Sequence, residues 1–228
     1  MTSAPVDVGG DASASRMVLF DFDGVLFNGD AFYLFIRYRY ASSLIRKLLA
    51  LLTLPWWLLC GLFSRRRAAH ALVHVALCGL NQQRYQAVVE AFADQLVRRP
   101  RQFYRDGLQA LRRHQAEGDE VIVVTGCEQM LVTRILTQLG MSDLTIVASQ
   151  LKPGWSGMRM RMHNIGRRKV QNLAAKGVKN WRLAYSDSFQ DMPMLKQADE
   201  AVLVNATPKL CKRMERALGR SVTRVAWY

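Results

Sequence analysis

Asp21 and Asp23 stand two residues apart in Val18-Leu19-Phe20-Asp21-Phe22-Asp23-Gly24-Val25, directly after a short apolar run. On an extended backbone residues i and i+2 share a side, so both carboxylates can face one site. One carboxylate there can attack phosphorus, and a second can serve as general acid and then as general base. The competing reading is an Asp-Gly turn that merely closes a strand. Three further signals follow along the chain. Thr125-Gly126 offers a hydroxyl and a backbone N–H after the apolar run Val121–Val124, although a helix N-cap would use the same residue type. Lys169, in Gly166-Arg167-Arg168-Lys169, could neutralise a phosphoryl oxygen or simply meet solvent. Asp187 and Asp191, in Ser186-Asp187-Ser188-Phe189-Gln190-Asp191, are hard oxygen donors. Mg2+ takes one or two such carboxylates and completes its shell with water and phosphate. Asp191 alone would read as an acid at a helix start.

These residues need elements to position them, and the chain is patterned accordingly. Met17–Phe20 reads as a buried strand emptying into a turn. From Asp30 to about Pro100 strand signals are weak and the chain looks helical; Tyr85, Val88, Val89, Phe92 and Leu96 follow the spacing of one amphipathic helix face. Tyr104, Leu108 and Leu111 mark a helix ending at Gly118. Beyond it the chain alternates between strands (Val121–Val124, Leu144–Ala148, Trp181–Tyr185, Ala201–Val204, about Val222–Trp227) and helical stretches, with a hairpin around Pro153–Gly157. Strands separated by helices predict an α/β fold, a doubly wound parallel sheet with right-handed crossovers. Ligands in such sheets bind at the carboxyl ends of the strands, and the four signals fall at or near such ends, Lys169 in a stretch that opens a helix. The expected organisation is a small, polar tail over 1–16, which lacks the apolar run of a signal peptide, a catalytic core of 17–29 and 107–228, and a helical insertion over 30–106 after the first strand.

In this order the four signals resemble the motifs of the haloacid-dehalogenase (HAD) superfamily: DxD, a strand-end Ser/Thr, a Lys, and an acidic DSxxD. The GxxK and SDSxxD forms, with an insertion between the first two motifs, resemble subfamily IB, which contains phosphoserine phosphatases and phosphatidylglycerophosphatase C. The resemblance implies an Mg2+-dependent phosphatase in which Asp21 becomes an aspartyl phosphate. Asp23 would protonate the leaving oxygen and later activate water. Thr125 and the Gly126 amide would hold phosphoryl oxygens, with Lys169 offsetting their charge. The metal would sit among Asp21, the Asp23 carbonyl and Asp187, while Asp191 orients Lys169. Val25 departs from the Thr commoner in that family. Asp23 argues against dehalogenation, whose enzymes lack the second carboxylate.

The insertion bears on substrate. The chain carries a net charge of +14, and Ala31 to Asp106 alone holds 12 Lys/Arg against 3 Asp/Glu, so anionic partners are expected. Leu48–Phe63 is a run of 16 uncharged residues between Arg46-Lys47 and Arg65-Arg66-Arg67, within a basic segment over 46–67. As a helix it would cover roughly 24 Å, short of a hydrocarbon core of roughly 30 Å, and Pro55 interrupts it. Both halves of the core must lie on one side of a membrane, so the segment is expected in the interface with Trp56 and Trp57 at headgroup depth. The alternative is a packed apolar core within the insertion. The phrases FDFDGVLFNGDAFYLF and SDSFQDMPML resemble phosphatidylglycerophosphatase C in particular, and that likeness implies a lipid phosphate, an anionic membrane surface as partner, and a cytoplasmic protein peripheral on the inner membrane. A soluble phosphatase of the phosphoserine type is the alternative; its relatives read the substrate amine with a Glu where this chain has Asp30. Four scattered cysteines without a CxxC pair imply reduced thiols rather than a disulfide framework or zinc site. A basic nucleic-acid-binding protein is the remote reading, and no recognition motif supports it.

Overall fold

The computed structural model describes residues 16–55, 58 and 65–228, with the side chains of 65–68 outside that description. The expected tail before Arg16, and Trp56 and Trp57, therefore lie outside the described residues. The sheet has seven strands: β1 (Met17–Phe20), β2 (Glu120–Glu128), β3 (Thr145–Gly154), β4 (Gly157–Met162), β5 (Trp181–Ser186), β6 (Ala198–Val204) and β7 (Thr223–Val225). Their spatial order is β4-β3-β2-β1-β5-β6-β7. All neighbours pair parallel except β3 with β4, which form an antiparallel hairpin at one edge. β1 lies between β2 and β5, so its carboxyl end opens at the point where the winding reverses direction.

Side chains alternate across the sheet and build two apolar layers. Val18, Phe20, Val121, Val123, Leu183 and Tyr185 face one layer; Leu19, Ile122, Val124, Ala184 and Leu203 face the other. The second layer is closed by α7 (Arg167–Ala175), α8 (Met192–Gln197) and α9 (Pro208–Leu218), which contribute Leu173, Met194, Leu195 and Met214. The first is closed by α5 (Arg105–Ala116) and α6 (Gln129–Gln138) through Leu111, Leu131, Val132 and Ile135. The ends of these helices follow from local chemistry. Thr207 accepts from the Leu210 N–H ahead of Pro208, and Gly219 closes α9 at φ 70°.

Between β1 and α5 run α1 (Ala31–Ala41), α2 (Leu44–Leu52), α3 (Arg65–Leu77) and α4 (Gln82–Val97). The spacing read for α4 is used as expected: Tyr85, Val89, Phe92 and Leu96 are buried. These residues and Phe35 of α1 join the same apolar cluster as Phe20 and Leu131, so the insertion shares the core's packing. Tyr85 donates to Glu128 Oε2 across that junction at 2.7 Å, inside the protein. α2 differs. None of its residues is buried, and Leu44, Ile45, Leu48, Leu51 and Leu52 are 60–76 % exposed. Among the described residues no helix is long and apolar enough to cross a membrane.

Candidate active site

Asp21 follows the last residue of β1, and its N–H is fixed by the Tyr185 carbonyl of β5 at 3.0 Å. Its carboxylate is bound at both oxygens: Oδ1 accepts from the Phe22 N–H at 2.7 Å and Oδ2 from Lys169 Nζ at 2.9 Å. Lys169 sits in the first turn of α7, after Gly166 at φ 56°, and reaches Asp191 Oδ2 at 2.7 Å as well. Ser186, the last residue of β5, donates to that same Asp191 oxygen at 2.9 Å. Asp21, Lys169 and Asp191 are all buried. Asp191 is thus no solvent-facing helix-start acid but a carboxylate enclosed beside its cation.

Asp23 turns back from the same loop. Its Oδ1 accepts from the Ala31 N–H at 2.9 Å, at the amino end of α1, so the insertion's first helix orients this carboxylate. Gly24 (φ +74°) makes the loop possible: a Cβ there would lie 1.9 Å from Asp187 Oδ2, so the Asp187 carboxylate rests against the Asp23-Gly24 backbone. Asp21, Asp23, Gly126, Lys169, Asp187 and Asp191 line one cleft of about 630 Å³. Thr125 stands at the end of the regular β2–β3 pairing, fully enclosed, and is not a helix cap. Its Oγ1 accepts from the Cys127 N–H at 3.0 Å, which uses a lone pair of the hydroxyl and not its proton. The cap of α6 is Glu128, which accepts from the Met130 and Leu131 N–H groups. Asp30 lines the cleft too, but its Oδ1 serves as the N-cap of α1, accepting from the Tyr33 N–H at 2.7 Å.

The electrostatics are those of a site short of positive charge. Burial pushes the Asp21 carboxyl well above its ordinary range; Lys169 opposes the shift and Asp191 adds to it. Burial works against ionised Asp191 as well, but the Lys169 charge and the surrounding hydrogen bonds outweigh it and hold that carboxyl low. Burial likewise pushes Asp23 up to about 7, and burial with the neighbouring Asp191 charge pushes Asp187 up to about 6. Lys169 is raised because the two carboxylates beside it overcome its desolvation. One lysine cannot balance four clustered carboxylates. The donor set of the cleft, hard oxygens of Asp21, Asp187 and the Asp23 backbone, suits a small divalent cation such as Mg2+. A second acidic group, His114, Glu117 and Asp119, lies at the amino end of β2, away from the cleft. There Asp119 already bonds His114 at 2.8 Å and Arg182 at 2.7 Å, so its charge is met by side chains.

Several residues at the site carry no sequence signal of their own. Asn205, in the cleft at φ 50°, is held by reciprocal bonds with the Trp227 backbone. Asn164 and Ser149 are buried behind Gly126 and bond its neighbouring carbonyls. An isolated Asn or Ser between elements looks like any loop residue until the chain is folded.

The sequence pattern of the haloacid dehalogenase-like hydrolase family matches residues 18–196. Solved structures share the fold at low identity. A protein of unknown function from Bordetella pertussis Tohama I aligns over 92 % of this chain and 99 % of its own, with TM-score 0.69 and 20 % identity. A phosphoserine phosphohydrolase-like protein from Francisella tularensis SCHU S4 aligns over 91 % and 94 %, with TM-score 0.58 and 14 % identity. A phosphoserine phosphatase captured as an analogue of its phospho-aspartyl intermediate aligns over 92 % and 93 %, with TM-score 0.56 and 16 % identity.

Proposed function

This chain belongs to the haloacid dehalogenase-like hydrolase family, and from that premise we propose that it is a phosphomonoester hydrolase working through a phosphorylated Asp21. The observation that carries the reading is Lys169 Nζ shared between Asp21 and Asp191 at the floor of a cleft that Asp23 and Asp187 also line. An Asp21 oxygen attacks phosphorus, the bond from phosphorus to the leaving oxygen breaks, and the Asp23 proton passes to that oxygen. Asp23, now a carboxylate, takes a proton from water as the water attacks phosphorus and the bond to Asp21 breaks. Inorganic phosphate leaves and both carboxyl groups return to their starting states. An Asp23 carboxyl titrating at about 7 suits a group that must give and then take a proton near neutrality. The Thr125 hydroxyl, the Gly126 N–H and Lys169 hold the phosphoryl oxygens, which is positioning and charge neutralisation rather than further covalent chemistry. Asp21, Asp187 and the Asp23 carbonyl would hold Mg2+, which when bound neutralises charge on the transferring phosphoryl group.

A small water-soluble phosphomonoester is the first substrate class, in keeping with the phosphoserine phosphatases that share the fold. Asp30 at the cleft is available to such a substrate's amine through its second oxygen. A specific observation favours a second class, lipid phosphates on a membrane surface: the exposed leucine face of α2 in a strongly basic chain. Apolar area of that size is unusual on a helix facing water, and a bilayer interface would cover it.

Phosphate release from soluble phosphomonoesters and from vesicle-borne lipid phosphates, with and without Mg2+, tests the reading. Asp21→Asn is expected to lower turnover at least a thousandfold while circular dichroism and melting stay near the parent's, because an amide oxygen is a poor nucleophile. Chelation should stop the reaction and added Mg2+ restore it. Retention of more than a few per cent of activity by Asp21→Asn would rule out the aspartyl phosphate.

A further inference from the structure

Pairing between β2 and β3 is regular from Ile122 to Val124, then shifts register before resuming at Glu128. The bulge falls on Thr125-Gly126-Cys127, and the Thr125 and Gly126 carbonyls are met by side chains from two other parts of the chain. Asn164 Nδ2 donates to the Thr125 carbonyl at 3.1 Å and to the Val147 carbonyl at 2.8 Å. Ser149 Oγ donates to the Gly126 carbonyl at 2.7 Å and accepts from the Asn164 N–H at 2.9 Å. Asn172 of α7 donates to Asn164 Oδ1 at 2.8 Å and so fixes which way the Asn164 amide faces. Asn164 is fully enclosed, and the turn carrying it lies on Gly126 itself: a Cβ there would stand 3.1 Å from Ile165 Cγ2.

The described peptides are trans, so the Thr125 C=O and the Gly126 N–H point in opposite directions. Drawing the carbonyl inward to Asn164 turns the N–H outward, towards the cleft that Gly126 lines. We propose that Asn164 is a positioning residue for phosphoryl transfer, its side-chain amide holding the Thr125-Gly126 peptide so that the Gly126 N–H faces a phosphoryl oxygen. This rests on the phosphatase reading of the cleft. Ser149 fixes the following peptide, and Asn172 fixes Asn164. Preorganised donors of this kind help because they need no reorientation as charge develops. The competing role is purely structural: Asn164 satisfies two buried carbonyls that the bulge frees, and its loss would cost stability alone.

The two roles separate in one set of measurements on Asn164→Ala and Asn172→Ala: melting temperature, kcat and KM with a soluble phosphomonoester, inhibition by orthovanadate, and the amide NMR signal of Gly126. Removing an oxyanion donor outright costs about a hundredfold to a thousandfold in kcat. Loosening one should therefore cost about tenfold to a hundredfold in Asn164→Ala, with vanadate affinity falling in parallel, KM nearly constant and the Gly126 signal displaced or broadened. Asn172→Ala should change the same quantities in the same direction by less, and it decides the matter by these criteria if Asn164→Ala fails to fold. A lower melting temperature with unchanged kcat, vanadate affinity and Gly126 signal would overturn the proposal. If the parent protein neither hydrolyses phosphomonoesters nor binds vanadate, the phosphatase reading fails. The Gly126 signal still shows in that case whether Asn164 orients the peptide, and an unmoved signal overturns the inference.

Discussion

Asp23 shows at the scale of one residue how the placement proposed for proton transfer opposes stability. Burial, the largest cause, moves its carboxyl from an ordinary value near 3.9 up to about 7, against the Ala31 N–H that favours the ionised form. A carboxyl with a raised folded-state pKa binds a proton more tightly in the folded protein than in the unfolded chain. Its stabilisation is therefore complete below about pH 4 and is lost as pH rises through about 7. Asp187, raised to about 6, acts in the same sense over the lower part of that window. In metal-free protein, stability contributed by these groups and by the raised Asp21 should fall as pH rises from about 4, and Asp23→Asn should make the slope between about pH 4 and 7 shallower. Asp23 keeps some solvent contact, which softens the cost of its charge, so the gain at pH 8 should be about 1–2 kcal/mol. Thermal melts in chelator across that range check it. Equal slopes in parent and variant would show that Asp23 titrates normally.

At the scale of elements, two of the contacts that hold the insertion to the core differ in kind. One is the apolar face of α4 with the buried Tyr85–Glu128 bond, where Glu128 also caps α6. The other joins the β3–β4 hairpin to the end of α3: the Gly79 N–H donates to the Ser156 carbonyl at 2.8 Å, and His74 Nε2 lies 3.0 Å from Ser156 Oγ. Gly157 permits that approach. Its φ is +142°, and an added Cβ would meet the Leu77 carbonyl at 2.3 Å. Gly157→Ala should therefore destabilise by about 2 kcal/mol and unseat the hairpin from α3. Hydrogen exchange should quicken in β4 and the last turn of α3 while β1 and β5 stay protected. Unchanged exchange at the hairpin would mean the backbone yields there at little cost. The hairpin around Pro153–Gly157 was legible in the sequence because turn residues interrupt an apolar pattern. Its contact with α3 was not, because nothing local distinguishes a glycine that turns from one that admits a neighbouring backbone.

Across the whole molecule, the net charge of +14 and the exposed face of α2 make a joint prediction about surfaces. Leu44, Ile45, Leu48, Leu51 and Leu52 would enter an interface, while basic side chains of the chain meet acidic headgroups. Arg46, expected among those basic groups, also donates to the Arg39 carbonyl at 3.0 Å and ties α2 to the end of α1. Replacing Ile45, Leu48 and Leu52 with serine should lower binding to acidic vesicles at least tenfold and lower lipid-phosphate turnover with it. Hydrolysis of a small soluble phosphomonoester should persist, since none of the three lines the cleft. Raising salt should weaken vesicle binding of the parent without abolishing it, because screening over roughly 8 Å acts on charge and not on apolar burial. Co-sedimentation with unchanged binding by the triple variant would return α2 to an ordinary exposed helix and leave the soluble substrate as the sole reading.

What the amino-acid sequence determined by itself is the alternation of strands and helices, the position of Asp21, Asp23 and Asp187 just after strands, and that of Lys169 and Asp191 at helix starts. Periodicity and short-range spacing carry that information, since a strand's burial and its exit are local properties. Tertiary structure alone decided that Lys169 bridges Asp21 and Asp191, that the amino end of α1 holds Asp23, and that Asp187 lies on the Gly24 backbone. It also turned Thr125 into a bulge residue backed by Asn164, and the insertion into part of the main core. Except for the Asp23–Ala31 bond, which spans eight residues, each of these is a contact between segments far apart in the chain. Such contacts depend on strand order, register and crossover, which no residue's immediate neighbours encode.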